Sequence, residues 1–235
     1  MIKSAFVKTL TTFSLFALVI ASCSKKLDNV QGLLMVVNAS PGFGPIDVFL
    51  DDTKLNSAPL GYAGTTAYTS TVLGNHKLKT TTAGSSAVLT DGNLNVIGNI
   101  HQSLFFYGPS TALQGALVDD PAREPDAGKA HVRFFNLSSG SGTVDFFGDD
   151  GIVPVELYSD RGFEAVDSIV AHAGFKTITP GTYDFVVKSG TSPAVLTTLP
   201  NIQILEKKSY TIYFGGIAGG SVPPGLQVIT HEFIR

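Results

Sequence analysis

Acids, histidines, serines and one thiol are the side chains with chemistry to offer here, and their spacing decides which chemistry. Asp47 and Asp145 recur in the same context, each some nine residues after an Asn-x-Ser turn, Asn38-Ala39-Ser40 and Asn136-Leu137-Ser138. They could ligate calcium or accept a sugar hydroxyl. A structural role is expected instead: each carboxylate takes hydrogen bonds from the backbone of the preceding turn, as short acidic side chains commonly do. Asn38, Ser40, Asp47, Asn136, Ser138 and Asp145 are thus expected to stabilise turns. The pairs Asp51-Asp52, Asp119-Asp120 and Asp149-Asp150 could offer oxygens to a hard cation, but none carries the D-x-[DN]-x-[DN]-G loop. They are expected to be turn formers at strand ends. His76, His101, His131, His172 and His231 are dispersed, with neither H-x-x-x-H nor H-E-x-x-H spacing. No G-x-S-x-G elbow is present, and the glycine run Gly215 to Gly220 leads into Ser-Val-Pro-Pro rather than a helix. No catalytic residue, metal ligand or cofactor is expected, and the chain is not read as an enzyme.

The thiol is Cys23, the only cysteine. It follows Lys3, Lys8, an uncharged apolar stretch from Leu10 to Ala21, and Ser22. A spanning helix needs about 20 apolar residues, and this stretch is shorter. The basic start, short apolar core and small residues before the break describe a cleaved signal. The aliphatic-x-small-Cys ending is that of a bacterial lipobox, which predicts cleavage between Ser22 and Cys23 and lipidation of Cys23. Residues 1–22 are then a lipoprotein signal peptide and 23–32 a lipidated tether. Membrane lipid becomes a partner, and the outer membrane the expected location. Periplasmic and surface-exposed facings both stay open: no Asp stands directly after Cys23, and no run of acids marks the chain for surface export.

Composition narrows the rest. Charged residues are 15% and hydrophobic ones 43%, and the net charge is −3. Without a basic field, nucleic acid is not an expected partner. With Cys23 consumed by lipid no thiol remains for a disulfide, so the fold must rest on its core.

The body of the chain repeats. Leu33 to Asp52 (LLMVVNASPGFGPIDVFLDD) and His131 to Asp150 (HVRFFNLSSGSGTVDFFGDD) align at an offset of 98, with eight identical positions in twenty. Farther on, Leu104-Phe105-Phe106-Tyr107-Gly108 aligns with Thr211-Ile212-Tyr213-Phe214-Gly215 at an offset of 107. The second copy therefore carries nine extra residues between Asp150 and Phe175, expected in a loop that includes 151–165. Ile46, Val48 and Leu50 alternate with Asp47, Phe49 and Asp51, the period-2 mark of a half-buried strand. Strand-sized segments at 33–38, 46–51, 66–73, 75–82, 86–90, 93–98, 101–107 and 113–118 are separated by turn residues such as Asp91-Gly92-Asn93. No sustained helical period appears beyond the signal. The expected fold is all-β: two tandem immunoglobulin-like antiparallel β-sandwich domains, 33–118 and 130–235, joined by a solvated linker at 119–129.

Val37-Asn38-Ala39-Ser40-Pro41 through Asp47-Val48-Phe49-Leu50-Asp51 resembles the DUF4397 family. The segment Pro125 to Arg133 is similar to the join between tandem copies in that family. The resemblance runs over about residues 33–235 and implies an exported, all-β bacterial lipoprotein of Bacteroidetes-like type without an established activity. The second copy departs from it, with Leu137-Ser138-Ser139 in place of Ala-Ser-Pro.

Phe49 and Phe147 alternate with acids and so fall on an outer face, where flat rings can stack on sugars. Phe105, Phe106, Tyr107, Tyr213 and Phe214 lie in dense apolar strands and are expected in the core. The functional expectation is a non-catalytic envelope module that binds a glycan or an envelope protein. The alternative is a structural spacer or assembly subunit. A hydrolase comes third, since it needs acids or a Ser/His pair converging in a cleft. Oligomeric state is not legible.

Overall fold

The structure is a computed structural model that describes residues 31–121 and 123–233. The signal peptide, the Ser22–Cys23 junction and most of the tether lie outside the described residues. The first copy forms β1 (Gly32–Asn38), β2 (Ile46–Leu50), β3 (Thr53–Lys54), β4 (Gly64–Thr65), β5 (Thr69–Thr71), β6 (Gly74–Thr82), β7 (Val88–Val96), β8 (His101–Tyr107) and β9 (Gln114–Asp120). The second forms β10 (Ala130–Ser139), β11 (Val144–Asp149), β12 (Val155–Arg161), α1 (Val166–Ala171), β13 (Lys176–Ile178), β14 (Gly181–Ser189), β15 (Val195–Ile204), β16 (Ser209–Ile217) and β17 (Gly225–His231).

The fold is all-β, and both copies use one topology. An outer sheet has the order β3-β2-β6-β7 in the first and β12-β11-β14-β15 in the second. An inner sheet has the order β4-β1-β8-β9, with β5 also on β1, and its counterpart is β13-β10-β16-β17. Pairing is antiparallel except at β1–β8 and β10–β16, which are parallel. The departure follows from the path of the chain. After β1 it crosses to the outer sheet, and it returns from β7 at the end where β1 began, so β8 must run alongside β1.

Period-2 alternation sorts side chains into three cores. In β1, Leu34 and Val36 face the outer sheet of their own copy, together with Ile46, Val48, Leu94, Leu104 and Phe106. Met35 and Val37 point the other way, into a cluster with Phe105, Tyr107, Phe135, Leu137 and Tyr213. That middle cluster joins the two inner sheets, so the molecule is a stack of four β layers. The third core lies within copy two, around Phe134, Phe146, Phe185 and Phe214. The five aromatics expected in the core are all buried, and they divide between the two faces of their strands.

Three segments differ from the sequence reading. Asp91-Gly92-Asn93 is not a turn: it runs through the middle of β7, opposite Lys79, Leu78 and Lys77. A ladder between two nine-residue strands outweighs the local turn preference of these residues. The extra residues of copy two are not a free loop. They lengthen the β11–β12 hairpin and build α1, whose Ile169 is fully buried in the middle cluster. At the junction, β9 continues through Asp119 and Asp120, residues read as linker. Ala116, Val118 and Asp120 share one phase of β9 and are all buried.

Candidate functional site

Polar groups converge most densely between the two inner sheets, at the level of Asp120. The Arg133 guanidinium is fully buried and pairs with Asp120, whose side chain is equally buried. It also donates to Asp119 O (2.9 Å) and, through Nε, to Thr211 Oγ1 (2.7 Å). Phe135 and Phe175 lie under it at 5.1 and 4.6 Å, so a desolvated cation rests on two rings. Ser103 and Tyr68 donate to the Asp120 carboxylate.

The remaining protons are fixed by counting. Tyr68 has one hydrogen, spent on Asp120, so its oxygen accepts from His231 Nδ1–H (2.7 Å). His231 Nε2 must then accept from Thr211 Oγ1 (2.6 Å), whose own oxygen takes the Arg133 Nε–H. Arg133, Thr211, His231, Tyr68 and Asp120 thus close a ring that is complete only with a neutral imidazole. Burial pushes the His231 pKa down to about 4, against the pull of Asp120. Burial also pushes the Tyr68 hydroxyl up, with the Asp120 carboxylate adding to the shift. Ser, His and Asp do converge here, but sealed between sheets. No substrate reaches them, so the arrangement pins one copy to the other.

Surfaces open to ligands include the outer faces of the two outer sheets, beside recesses at the 177–183 end of copy two and along residues 55–60. In copy one the register lays Lys54, Phe49, Lys79 and Asp91 in one row across β3, β2, β6 and β7. The Lys79 ammonium stands 5.2 Å over the Phe49 ring and binds Asp52 at 2.6 Å. Two shallow recesses meet at Lys79: one is lined by Asp52, Lys77, Asp91 and Asn93, the other by Asp47, Phe49, Ser85 and Ser86. The equivalent row of copy two reads Glu156, Phe147, Val186 and Thr198. A lysine again covers the ring, here Lys188 at 4.3 Å. The copies therefore share the central phenylalanine and differ in the charges around it.

Asn38 and Asn136 make the same three bonds. Each Oδ1 accepts from the serine two residues on, Ser40 N or Ser138 N, at 3.1 Å. The Nδ2 of Asn38 donates to Leu60 O and Gly44 O, and that of Asn136 to Arg161 O and Gly142 O. Ser40 Oγ adds a bond to Gly108 O (2.7 Å), whereas Ser138 Oγ has no such partner. Asp47 and Asp145 do not bond these turns as expected. Strand alternation turns them to the outer face, away from the asparagines. Asp47 accepts from Lys54 Nζ (2.8 Å), Asn56 Nδ2 (3.1 Å) and Gly84 N (3.1 Å), and Asp145 from Asp160 N (2.9 Å). Burial pushes the Asp47 carboxyl up, but the bonds from Lys54, Gly84 and Asn56 together hold it below the usual range.

Of the acid pairs, Asp51-Asp52 and Asp149-Asp150 close turns, bonding Lys77 N, Lys79 Nζ, Gly151 N and Ile152 N. Asp120 does something else, at the centre of the buried ring. Among the described residues no three His, Cys, Asp or Glu side chains gather as a metal site, and no helix is long and apolar enough to cross a membrane. Arg133 and Asp120 are partners that no motif in the sequence marks. The signal was there in phase alone, since each continues the alternation of a buried strand face.

No curated protein matches the chain. Among solved structures it is similar, at a TM-score of 0.28 and 14% identity, to a family CBM26 module of Eubacterium rectale Amy13K in complex with maltoheptaose, over 85% of this chain and 97% of that one. It is also similar to a DUF3823 family protein from Bacteroides ovatus, at a TM-score of 0.21 and 12% identity, over 74% and 97%. Neither likeness is close enough to carry an assignment. Residues 32–147 match the model of DUF4397, a domain of unknown function, in support of the family that the Asn38-Ala39-Ser40-Pro41 segment resembles.

Proposed function

We propose that this chain is a non-catalytic bacterial envelope lipoprotein, anchored through acylated Cys23, whose copy-one outer face binds a glycan. The observation that carries the reading is the row Lys54–Phe49–Lys79–Asp91 on a rigid sheet. It sets a half-buried ring among ammonium, carboxylate and amide groups that open to solvent. A pyranose can lay its apolar face on the ring while its hydroxyls bond Lys79, Asp91 and Asn93. Lys79 must swing off the ring to admit it, and its tie to exposed Asp52 is of the weak surface kind. The buried Ser103, His231 and Asp120 supply no reaction centre, which supports binding over hydrolysis.

The test is a glycan array probed with the mature chain and with Phe49→Ala and Phe147→Ala. The expected result is retention of a glycan class that falls at least tenfold in Phe49→Ala, with an unchanged melting temperature. Retention unaffected by Phe49→Ala, or no glycan retained by the parent chain, overturns it. The spacer reading has its own support in the sealed inner sheets, which make two copies one stiff body. It predicts a co-purifying envelope partner and an array without hits.

A further inference from the structure

The chain enters the fold at Gly32, the first residue of β1, and two loops beside that point carry exposed aliphatic side chains, next to the Asp51-Asp52 turn that His76 ties to Val72 O. Gly32 pairs with Thr71, so Val72 and Leu73 of the β5–β6 turn stand beside it. Ile97 follows Val96, and a Cβ on Gly32 would fall 2.3 Å from the Val96 side chain. Val72 is 68% exposed and Ile97 47%.

The second copy brings a further apolar tip to the same end. The inner sheets face each other with β8 and β10 running in the same sense. Arg133 near the start of β10 meets Asp120, which pairs with His101 at the start of β8. Farther along, Phe135 meets Phe105 at 5.6 Å, and Leu137 shares a cluster with Tyr107. The start of β10 pairs with Ile178, next to the turn that opens β14. There Asp149 lies opposite Asp184, and the β11–β12 turn hangs from the Gly148–Val155 pair. Its tip is Ile152-Val153-Pro154, with Ile152 84% and Val153 63% exposed. Copy one makes the corresponding turn with Asp51-Asp52 alone, so the inserted residues build this apolar tip.

We propose that this end of the molecule rests on the lipid bilayer, with the β5–β6 turn, the β7–β8 loop and the β11–β12 tip dipping into its interface. The inference rests on acylation of Cys23. The nine residues from Cys23 to Gln31 span at most about 30 Å even when extended, so the anchor holds Gly32, and the two loops beside it, near the membrane. Aliphatic side chains at turn tips gain by entering the interface, and a second contact fixes the orientation that acyl chains alone leave free. The strands then stand away from the membrane, with the Phe49 face accessible from the side.

The chain has no tryptophan, so a single introduced indole reports one place. Val72→Trp, Ile152→Trp and, at the far end, Leu196→Trp are expressed as full chains, and the lipoprotein is incorporated into phosphatidylcholine vesicles with or without dibrominated acyl chains. Mass spectrometry of the amino terminus reads acylation in the same samples. The expected result is acylated Cys23, blue-shifted emission at 72 and 152, at least twofold quenching there by brominated lipid, and none at 196. Acylated protein with no quenching at 72 and 152, or equal quenching at all three sites, overturns the membrane-resting end and leaves the anchor standing. An unmodified Cys23 overturns both.

Discussion

His231 holds its imidazole between Thr211 and Tyr68, with the Arg133–Asp120 pair closing the ring. Its neutrality is therefore a condition of the fold. The sign of the pH effect follows. In the unfolded chain the group titrates near its ordinary value of about 6.5, whereas in the fold it takes a proton only near pH 4. Between these values the unfolded state binds more protons, so stability is full above pH 6.5 and falls as the pH drops toward 4, by about 3 kcal/mol. His101 and His131, both shifted down by burial, add to the loss. His76 behaves oppositely, because its bond to Asp51 raises its pKa. Proton NMR titration should show His231 still neutral at pH 5 with His76 charged, and urea midpoints should fall across this window. A His231 that titrates above pH 6 in the folded protein contradicts the proton assignment of the ring.

At the scale of elements, the extra residues of copy two are what most distinguish it from copy one. They pack Phe163 against Tyr107 at a ring distance of 5.9 Å and drive Ile169 of α1 into the cluster between the inner sheets. A six-residue helix is not stable by its own propensity, so α1 exists because its apolar residue is buried against the other copy. Ile169→Ala should cost about 2–5 kcal/mol, as truncation of a fully buried aliphatic side chain does. Val170→Ala, on the exposed side of the same turn, should stay within about 0.5 kcal/mol. Equal effects of the two in urea titrations would mean that α1 does not clamp the copies. Local sequence explains little of this helix, since one buried position leaves no periodicity to read.

For the whole molecule, the middle cluster makes each copy depend on the other. A separated copy one would expose the face bearing Met35, Val37, Phe105 and Tyr107, together with the unpaired Asp120. Exposed apolar surface on that scale drives association. The full chain should unfold in one transition, with backbone and aromatic probes coincident. Residues 31–120 alone should bind a hydrophobic dye and aggregate. Two separate transitions, or a soluble, monomeric and dye-free copy one, would show that the seam is a weak contact between independent domains.

Features that depend on neighbours along the chain are legible from residue order alone. Alternation over Ile46 to Asp51 is enough to place Phe49 and Asp47 on one face, and the Asn-x-Ser repeat is enough to mark two equivalent turns. The 98-residue offset revealed a repeated unit, and dense apolar strands announced a buried core. What those strands face is set by how the sheets stack. Strands buried on both sides, such as β1 and β10, read alike whether the second side meets a neighbour or not. The ring of Arg133, Asp120, Tyr68, His231 and Thr211 joins residues from different strands and both copies, chosen by how two sheets stack. Asp91-Gly92-Asn93 failed as a turn for the same reason: a ladder of nonlocal hydrogen bonds overrode a local preference, and no property of three residues reports the strand they will meet.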